Sequence, residues 1–468
     1  MTKISDRLFN FKMPIESDVE WVDVDLRFSK ISTRVPLKFG SEILDSVTCA
    51  RARVGVRKLN GEYGVGWGET PLSVQWVWPS DTPYSERHKA MLQFSEILAR
   101  NFNEKLQCGH ALEIGQKFVF DYVPSELTRF NQEYRMGEEP MPWLAALVCA
   151  SAFDLALHDA YGVVNHVPVY ESYCFPYLNY DLDEFLEPAV GSGASFSGKV
   201  PSDYLVKKPP NKIPVWHLVG GLDPLCSEDL KGDEPDDGYP LHLEEWIRED
   251  GLNCLKIKLR GNDSEWDFSR LVSVGKIAEM MNVEYLTTDF NCMVNHPQYV
   301  NQILDKLKVN FRSIWERILY VEQPFPYDLQ QNRINVKSLS ERKPLFMDES
   351  AHDWKHVRLG LELGWTGVAL KTCKTQTGAL LSLCWAKEHK MDLMVQDLTN
   401  PMLAQIPHVL LGAHAGTIMG VESNAMQFYP DASSAEAIIH PGLYRRRNGT
   451  LDISTLKGPG FGYGMNLN

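Results

Sequence analysis

Three carboxylates and two lysine motifs carry the chemistry that this chain's residue types make possible. Asp289, Glu322 and Asp348 close three successive apolar stretches, "VEYLTTDF", "ILYVEQPF" and "KPLFMDES". Lys256 and Lys258 stand before them in "CLKIKLRG", and Lys371 stands after them in "ALKTCK". Carboxylates gathered in a partly buried site repel one another and resist ionisation unless a cation neutralises them. A hard divalent ion with oxygen ligands does so. Mg²⁺ suits three carboxylates while keeping positions open for water and substrate, and Mn²⁺ is the alternative. A single acid at a strand end is commonly a turn starter or helix cap, but three in a row point to a metal. A lysine near such a cation and other lysines has its pKa pulled down and can act as a base. For either lysine alone, a plain ion-pair role stays open. Together the groups suit removal of a proton next to a substrate carboxylate, with the metal stabilising the resulting enediolate.

Such groups converge only if the elements that carry them do. From residue 213 onward, short apolar strands alternate with helical segments. They begin with "IPVWHLVG", "NCLKIKL" and the three stretches above, and end with "TGVALKT", "MDLMVQD" and "GTIMGVE". Eight strands spaced 23 to 40 residues apart, with helices between most of them, are the rhythm of an α/β protein of the (β/α)8 TIM-barrel type. In that fold the residues at the carboxyl ends of the strands meet at one mouth. Strands two and six, bearing Lys258 and Lys371, face each other across it. A doubly wound sheet would announce a Gly-rich nucleotide turn, and none is present. "CLKIKL" alternates, which predicts one dry and one wet face.

Before the barrel, residues 1–162 read as an α+β unit. Alternating strands span roughly 20 to 70, with "NGEYG" as a hairpin turn, and helices follow, among them the nearly all-apolar "PMPWLAALVCASAFDLALHDAYG". Residues 163–212 lack a period and read as an irregular linker or insertion. The barrel follows over 213–430, and 431–468 form a C-terminal segment. A second insertion, 220–240, is acidic and rich in turns, with no EF-hand spacing.

The balance of 47 basic against 61 acidic residues, net −14, argues against nucleic acid or an anionic membrane as partner. Nine cysteines are scattered singly, and there is no C-x-x-C pair, as in a reduced protein. No apolar leader opens the chain, so a soluble, cytoplasmic protein is expected.

In order, residue type and spacing, "LKIKLRG", "TDFN", "YVEQP", "MDES" and "ALKTCKTQTG" resemble the enolase superfamily. The likeness is to its mandelate racemase/muconate lactonizing family, and to the muconate-lactonizing subgroup in particular. "GVGWGETPL" and "ALVCASAFDLALHDAYG" are similar to that family's capping-domain signatures, and "PVWHLVGG" to the start of its barrel. The resemblance implies a modified barrel, (β/α)7β, under an α+β cap formed by the N-terminal region and the returning C-terminal tail. It implies Asp289, Glu322 and Asp348 as Mg²⁺ ligands, Lys258 and Lys371 as acid/base residues on opposite substrate faces, and Lys256 as an electrostatic neighbour. Asn291, Gln323 and Glu349 are implied as supports of the ligands. Loops near "VPLKFGSE" (35–42) and "ETPLSVQWVW" (69–78) would choose the substrate, with Phe39 and Trp76 as contacts and Glu422 as a further one. A small carboxylate substrate and a homo-oligomer are expected.

The expected activity is an isomerase or lyase, with racemisation or epimerisation first, then cycloisomerisation, then syn-dehydration, because the same lysines serve all three. Strand seven ends in "MVQD" without the histidine of mandelate racemases, and strand eight carries "GVESN" in place of the D-x-D of dipeptide epimerases. His414 reads as structural. A non-catalytic carboxylate-binding barrel is the competing class. A zinc hydrolase would need an H-x-H on strand one, where His217 stands alone.

Overall fold

The computed structural model describes residues 14–39, 42–101, 108–465 and 467. Its first layer is an antiparallel sheet of β1 (Val19–Phe39), β2 (Glu42–Lys58) and β3 (Tyr63–Pro71), in that order. The turn between β2 and β3 is the predicted Asn60-Gly61 hairpin, with Gly61 at positive φ. β1 and β2 run on as a long arm through the stretch expected to be a loop. Pro36 is tolerated because the ladder shifts register between Ser32 and Leu37, so no paired N–H is demanded of it.

Helix Trp143–Val164 packs on this sheet, and the "GVGWG" pattern shows why it can. A Cβ on Gly66 would lie 2.0 Å from the Ala160 nitrogen, and one on Gly68 would lie 2.2 Å from the Ala152 carbonyl oxygen. Glycine on the strand and alanine on the helix therefore let the two backbones touch. The helix is long and apolar enough to cross a membrane, yet nearly all of it is buried inside the protein.

The second layer is the barrel. Parallel strands β4 (Lys212–Val219), β5 (Cys254–Lys258), β6 (Tyr285–Asp289), β7 (Ile318–Glu322), β8 (Leu345–Met347), β9 (Gly367–Leu370) and β10 (Asp392–Val395) pair in sequence order, and β11 (Val421–Glu422) pairs with β4. The Ile418 N–H, donating to the Leu393 carbonyl at 2.9 Å, ties the last strand toward β10 and curls the sheet on itself. A helix follows each of the first seven strands. After β11 only the short helices Ala425–Phe428 and Ser434–Ile439 occur among the described residues, which is the (β/α)7β variant.

The alternation along β5 corrects the expected wet face. All five of its residues are buried. Leu255 and Ile257 pack outward with the hydrophobic layer around the barrel, while Cys254 joins Trp216, Tyr320, Phe346 and Met394 in its interior. Lys256 and Lys258 lie on the interior side with Cys254, so their ammonium groups are out of solvent.

The chain end returns along the outside. β12 (Thr450–Asp452) adds antiparallel to β4. Beyond it, the Phe461 N–H donates to Asp159 at 2.8 Å and the Tyr463 hydroxyl donates to the Trp67 carbonyl at 2.9 Å, both in the cap. All nine cysteines are free.

Candidate active site

Ladder register sets the mouth of the barrel. Lys258 pairs with Asp289 across β5 and β6, Asp289 pairs with Glu322 across β6 and β7, and Glu322 pairs with Phe346 on β8, two residues before Asp348. Asp289, Glu322 and Asp348 are all within 1% of full burial.

Lys256 sits among the acids. Its ammonium donates to Glu322 Oε1 at 2.5 Å and to Glu422 Oε2 at 3.0 Å, and it lies 3.2 Å from Asp289 Oδ2. Burial opposes its charge, but Glu322, Glu422 and Asp289 outweigh that and hold its pKa well above the ordinary lysine value. Lys258 donates to Asp289 Oδ2 at 2.5 Å. Lys371 bonds the Asp397 carbonyl at 2.9 Å and pairs with Asp348 Oδ2 at 3.2 Å. Burial works against its charge too, yet Asp348 raises its pKa.

The residues expected as supports contact the carboxylates and the turns that carry them. The Asn291 N–H donates to Asp289 Oδ1 at 2.9 Å, and its amide reaches Glu349 at 3.3 Å. Gln323 Oε1 accepts from the Asp348 N–H at 2.8 Å and from the Ser350 hydroxyl at 2.7 Å, fixing the turn after β8. Trp76, in the short helix Val74–Val77 of the cap, donates its indole N–H to Glu349 Oε1 at 3.0 Å. Burial and the neighbouring Asp348 push Glu349 up to about 7. Trp78, two residues on, turns away into the cap core under Arg135. The side chain of Phe39 lies outside the described residues; Leu37 and Leu44 of the same arm line the mouth. Glu422 lines it as well but is already bound, to Lys256 and to the Asn424 amide at 2.8 Å.

Lys374 was not singled out from the sequence, and Gln396 and Asp397 were read only as the polar end of strand seven. Lys374 pairs with Asp348 Oδ1 at 3.5 Å and also donates to the Asp348 carbonyl. It shares the Trp76 face with Lys371, at 5.6 and 5.1 Å from the ring centroid. The signal was the K-x-x-K spacing: Thr372–Lys374 is a 3-10 turn, in which residues three apart eclipse. Gln396 bonds Glu322 Oε2 at 2.5 Å, while Asp397 accepts from the N–H of Asn424 at 2.7 Å. Positive φ at Ser73, Asn291, Gln323, Thr375 and Thr399 concentrates backbone strain around the mouth. His414, by contrast, stacks on Tyr170 with its Nδ1 at the Leu410 carbonyl, well away from these groups.

Chemically the site is short of positive charge. Six carboxylates (Asp289, Glu322, Asp348, Glu349, Asp397, Glu422) meet four lysines (Lys256, Lys258, Lys371, Lys374), and none of the ten is more than 7% exposed. Two negative charges are left over, and Glu322, Glu349 and Asp397 are accordingly pushed up, burial being the first cause in each. As they stand, no three Asp, Glu, His or Cys side chains among the described residues form a group that holds an ion; Lys256 occupies the space between the acids. The donor set nevertheless fits a hard divalent cation. It is all oxygen, Glu349 Oε2 and Asn291 Oδ1 are buried without partners, and the charge deficit equals the charge of such an ion.

Above these groups lies a cavity of about 40 Å³ lined by Lys258 and Lys371 from opposite strands, with Trp76, Leu37, Leu44, Leu218 and Leu398 around them.

Comparison with known proteins bears on the fold. Residues 240–468 match the family described as enolase C-terminal domain-like. A search of curated protein sequences finds no match. In fold, the chain is similar to a dipeptide epimerase from Enterococcus faecalis complexed with Mg and the dipeptide L-Leu-L-Tyr. The identity is 15% and the TM-score 0.59, over 94% of this chain and 99% of that one. It is similar to a muconate lactonizing enzyme from Pseudomonas fluorescens complexed with muconolactone, at 15% identity and TM-score 0.58, over 96% of each chain. The N-succinyl Arg/Lys racemase from Bacillus cereus is 15% identical, with TM-score 0.58 over 94% of each chain.

Proposed function

We propose that this chain, whose residues 240–468 match the enolase C-terminal domain-like family, is an enolase-superfamily enzyme of the mandelate racemase/muconate lactonizing branch, and that it removes the α-proton of a small carboxylate substrate and returns one to the same carbon, as a racemase or epimerase. One observation carries the choice: Lys258 and Lys371 line a single small cavity from the second and sixth of eight strands, so a carbon held there has an ammonium or amine on each face.

Asp289, Glu322 and Asp348 would hold the divalent cation, Mg²⁺ or Mn²⁺, with Glu349 and Asn291 orienting them. Bound there, such an ion supplies positive charge against the carboxylate oxygens as negative charge builds on them. Lys256, tied to Glu322 and Glu422, keeps the acids paired and sets the field in which Lys258 works. Lys258 takes or gives the proton on one face and Lys371 on the other. Lys374 neutralises Asp348 beside Lys371, and Trp76 closes the mouth from the cap and excludes water. The apolar wall of Leu37, Leu44, Leu218 and Leu398 favours an apolar substituent on the α-carbon. Cycloisomerisation or dehydration would use one lysine only.

The test is α-proton exchange in D₂O with Mg²⁺ and a panel of chiral α-substituted carboxylates: hydroxy acids, N-acylamino acids and dipeptides. Deuterium should enter the α-position of at least one member. Lys371→Ala should abolish exchange from one enantiomer by about 10²-fold or more while sparing the other, and Lys258→Ala should show the reverse preference. Equal loss from both enantiomers in either variant removes the two-face assignment. No exchange from any member, with the metal demonstrably bound, removes the activity and leaves the carboxylate-binding barrel.

A further inference from the structure

The acidic insertion and Arg260 take no part in the site above, yet together they wall a second and much larger cavity, of about 780 Å³. That volume lies in the range of small-molecule sites, roughly 300–1,000 Å³. It sits outside the barrel wall, between helices Leu243–Asp250 and Ser264–Met280, with the insertion over it and Arg34–Pro36 of the cap arm at its edge.

The charges of its walls are not equivalent. Most of the acids are spent on their own turns. Asp223 accepts from the Gly220 N–H at 2.8 Å, Asp229 from the Leu225 N–H at 2.8 Å, and Glu234 from the N–H groups of Lys231 and Gly232 at 2.6 and 2.8 Å. Among the described acids of the wall, Asp233, which is exposed, alone makes no such bond. Arg34 is held by Asp237 at 2.7 and 2.8 Å, but two other cations of the wall are less well occupied. Arg270 donates through Nη2 to the carbonyls of Gly220 and Asp223, but its Nε is buried without a partner. Arg260 lies on the Trp266 ring, 4.0 Å from the centroid, with only a half-exposed contact to Asp263 at 3.9 Å. Three more wall residues, His217, His242 and Gln427, each keep a buried polar atom unpartnered. The remaining surface is apolar and aromatic, led by Trp246, Trp266, Leu225 and Leu243. Spent acids, underused guanidiniums and flat apolar walls select an anion with an aromatic body.

We propose that this cavity is a second ligand site, distinct from the barrel mouth, which binds an aromatic carboxylate: the charge at Arg270 and Arg260, the ring system against Trp246 and Trp266. The two cavities stand back to back. Along β4, Leu218 faces the mouth while His217 and Val219 face the second cavity, and past β5, Lys258 belongs to the first and Arg260 to the second. The proposal does not depend on the reaction at the mouth.

Calorimetric titration of the whole protein with 1-naphthylacetate tests it, with 1-naphthylacetamide as the uncharged twin. The acid should bind saturably at one site, the amide at least tenfold more weakly. Arg270→Met and Arg260→Ser should each raise the Kd for the acid at least tenfold, and Lys371→Ala should leave it unchanged. Arg260 is half exposed, so its variant remains informative if Arg270→Met fails to fold. No saturable binding of the acid, equal affinity for acid and amide, or loss of binding in Lys371→Ala with retention in Arg260→Ser would each overturn the assignment.

Discussion

Asp348 is the residue on which the mouth is most crowded: Lys371 and Lys374 pair with its carboxylate, and Gln323 holds its backbone. Its pKa is lowered even though burial, the largest influence, raises it, because the two lysines prevail. Removing its charge while keeping its shape tests the proposed ligand role. Asp348→Asn should weaken Mg²⁺ binding at least tenfold by calorimetry, whereas unchanged affinity would take it out of the ligand set. At this scale much was visible in the sequence, since a strand end is announced by its apolar run and the acid after it cannot hide. Lys374 was not, because a strand-based register stops at Lys371. The 3-10 turn that brings Lys374 back over Asp348 depends on Thr375 at φ 74, a conformation nothing in "KTCKTQTG" advertises.

The elements explain how Lys371 is held. Helix Trp143–Val164 of the cap clasps the turn that bears it: the Ser151 hydroxyl donates to the Thr372 carbonyl at 2.8 Å, and Asp154 accepts from the Thr377 N–H and hydroxyl, both at 2.8 Å. Asp154 thereby caps helix Gln376–Glu388 from helix Trp143–Val164. Ser151→Ala removes the bond to Thr372 and a second one, to the Thr70 hydroxyl at 2.8 Å, so stability should fall by about 2 kcal/mol. Because the Thr372 bond sets the angle of the Lys371 turn, we expect exchange kcat to drop several-fold with KM little changed; a fall in thermal stability with kcat intact would reduce Ser151 to a structural role. The eight barrel strands and three cap strands were legible as apolar runs between turn residues. The arm of β1 and β2 was not, because Pro36 signals a loop, and only pairing with β2 on either side overrides it.

For the whole molecule, the returning tail, which pairs with barrel strand β4 through β12, is fixed to the cap by a buried carboxylate. Asp159 accepts from the N–H groups of Trp67 and Phe461, at 2.9 and 2.8 Å, and burial pushes it up to about 7. Its folded pKa thus exceeds the ordinary aspartate value of 3.8, so the folded state keeps a proton that the unfolded chain gives up. The associated stability is fully present below about pH 4 and is lost as pH rises through 7, by roughly 1.4 kcal/mol per pKa unit. Urea denaturation at pH 5 and pH 7.5 should show Asp159→Asn losing less stability across that interval than the parent protein. A parent and variant with parallel slopes would mean that the carboxyl titrates normally. Residues 163–212 show what sequence periodicity cannot reveal at this scale. Three separate 3-10 turns, Val169–Glu171, Leu182–Glu184 and Pro201–Asp203, pin that stretch through isolated anchors such as Tyr173, Leu182 and Phe196, all fully buried. Single anchors leave no repeating pattern.

The hydrogen bond from Trp76 to Glu349 joins the cap to the carboxylate cluster through one donor and one acceptor. An acid that is bonded when the cap is shut and released when it opens has a different affinity for cations in the two states. Thermodynamic reciprocity then requires that whatever charge enters the cluster alters the closing equilibrium by the same factor. Under the proposed function, substrate selection and charge compensation at the mouth are therefore two readings of a single coupling, and a substitution at the indole should shift both.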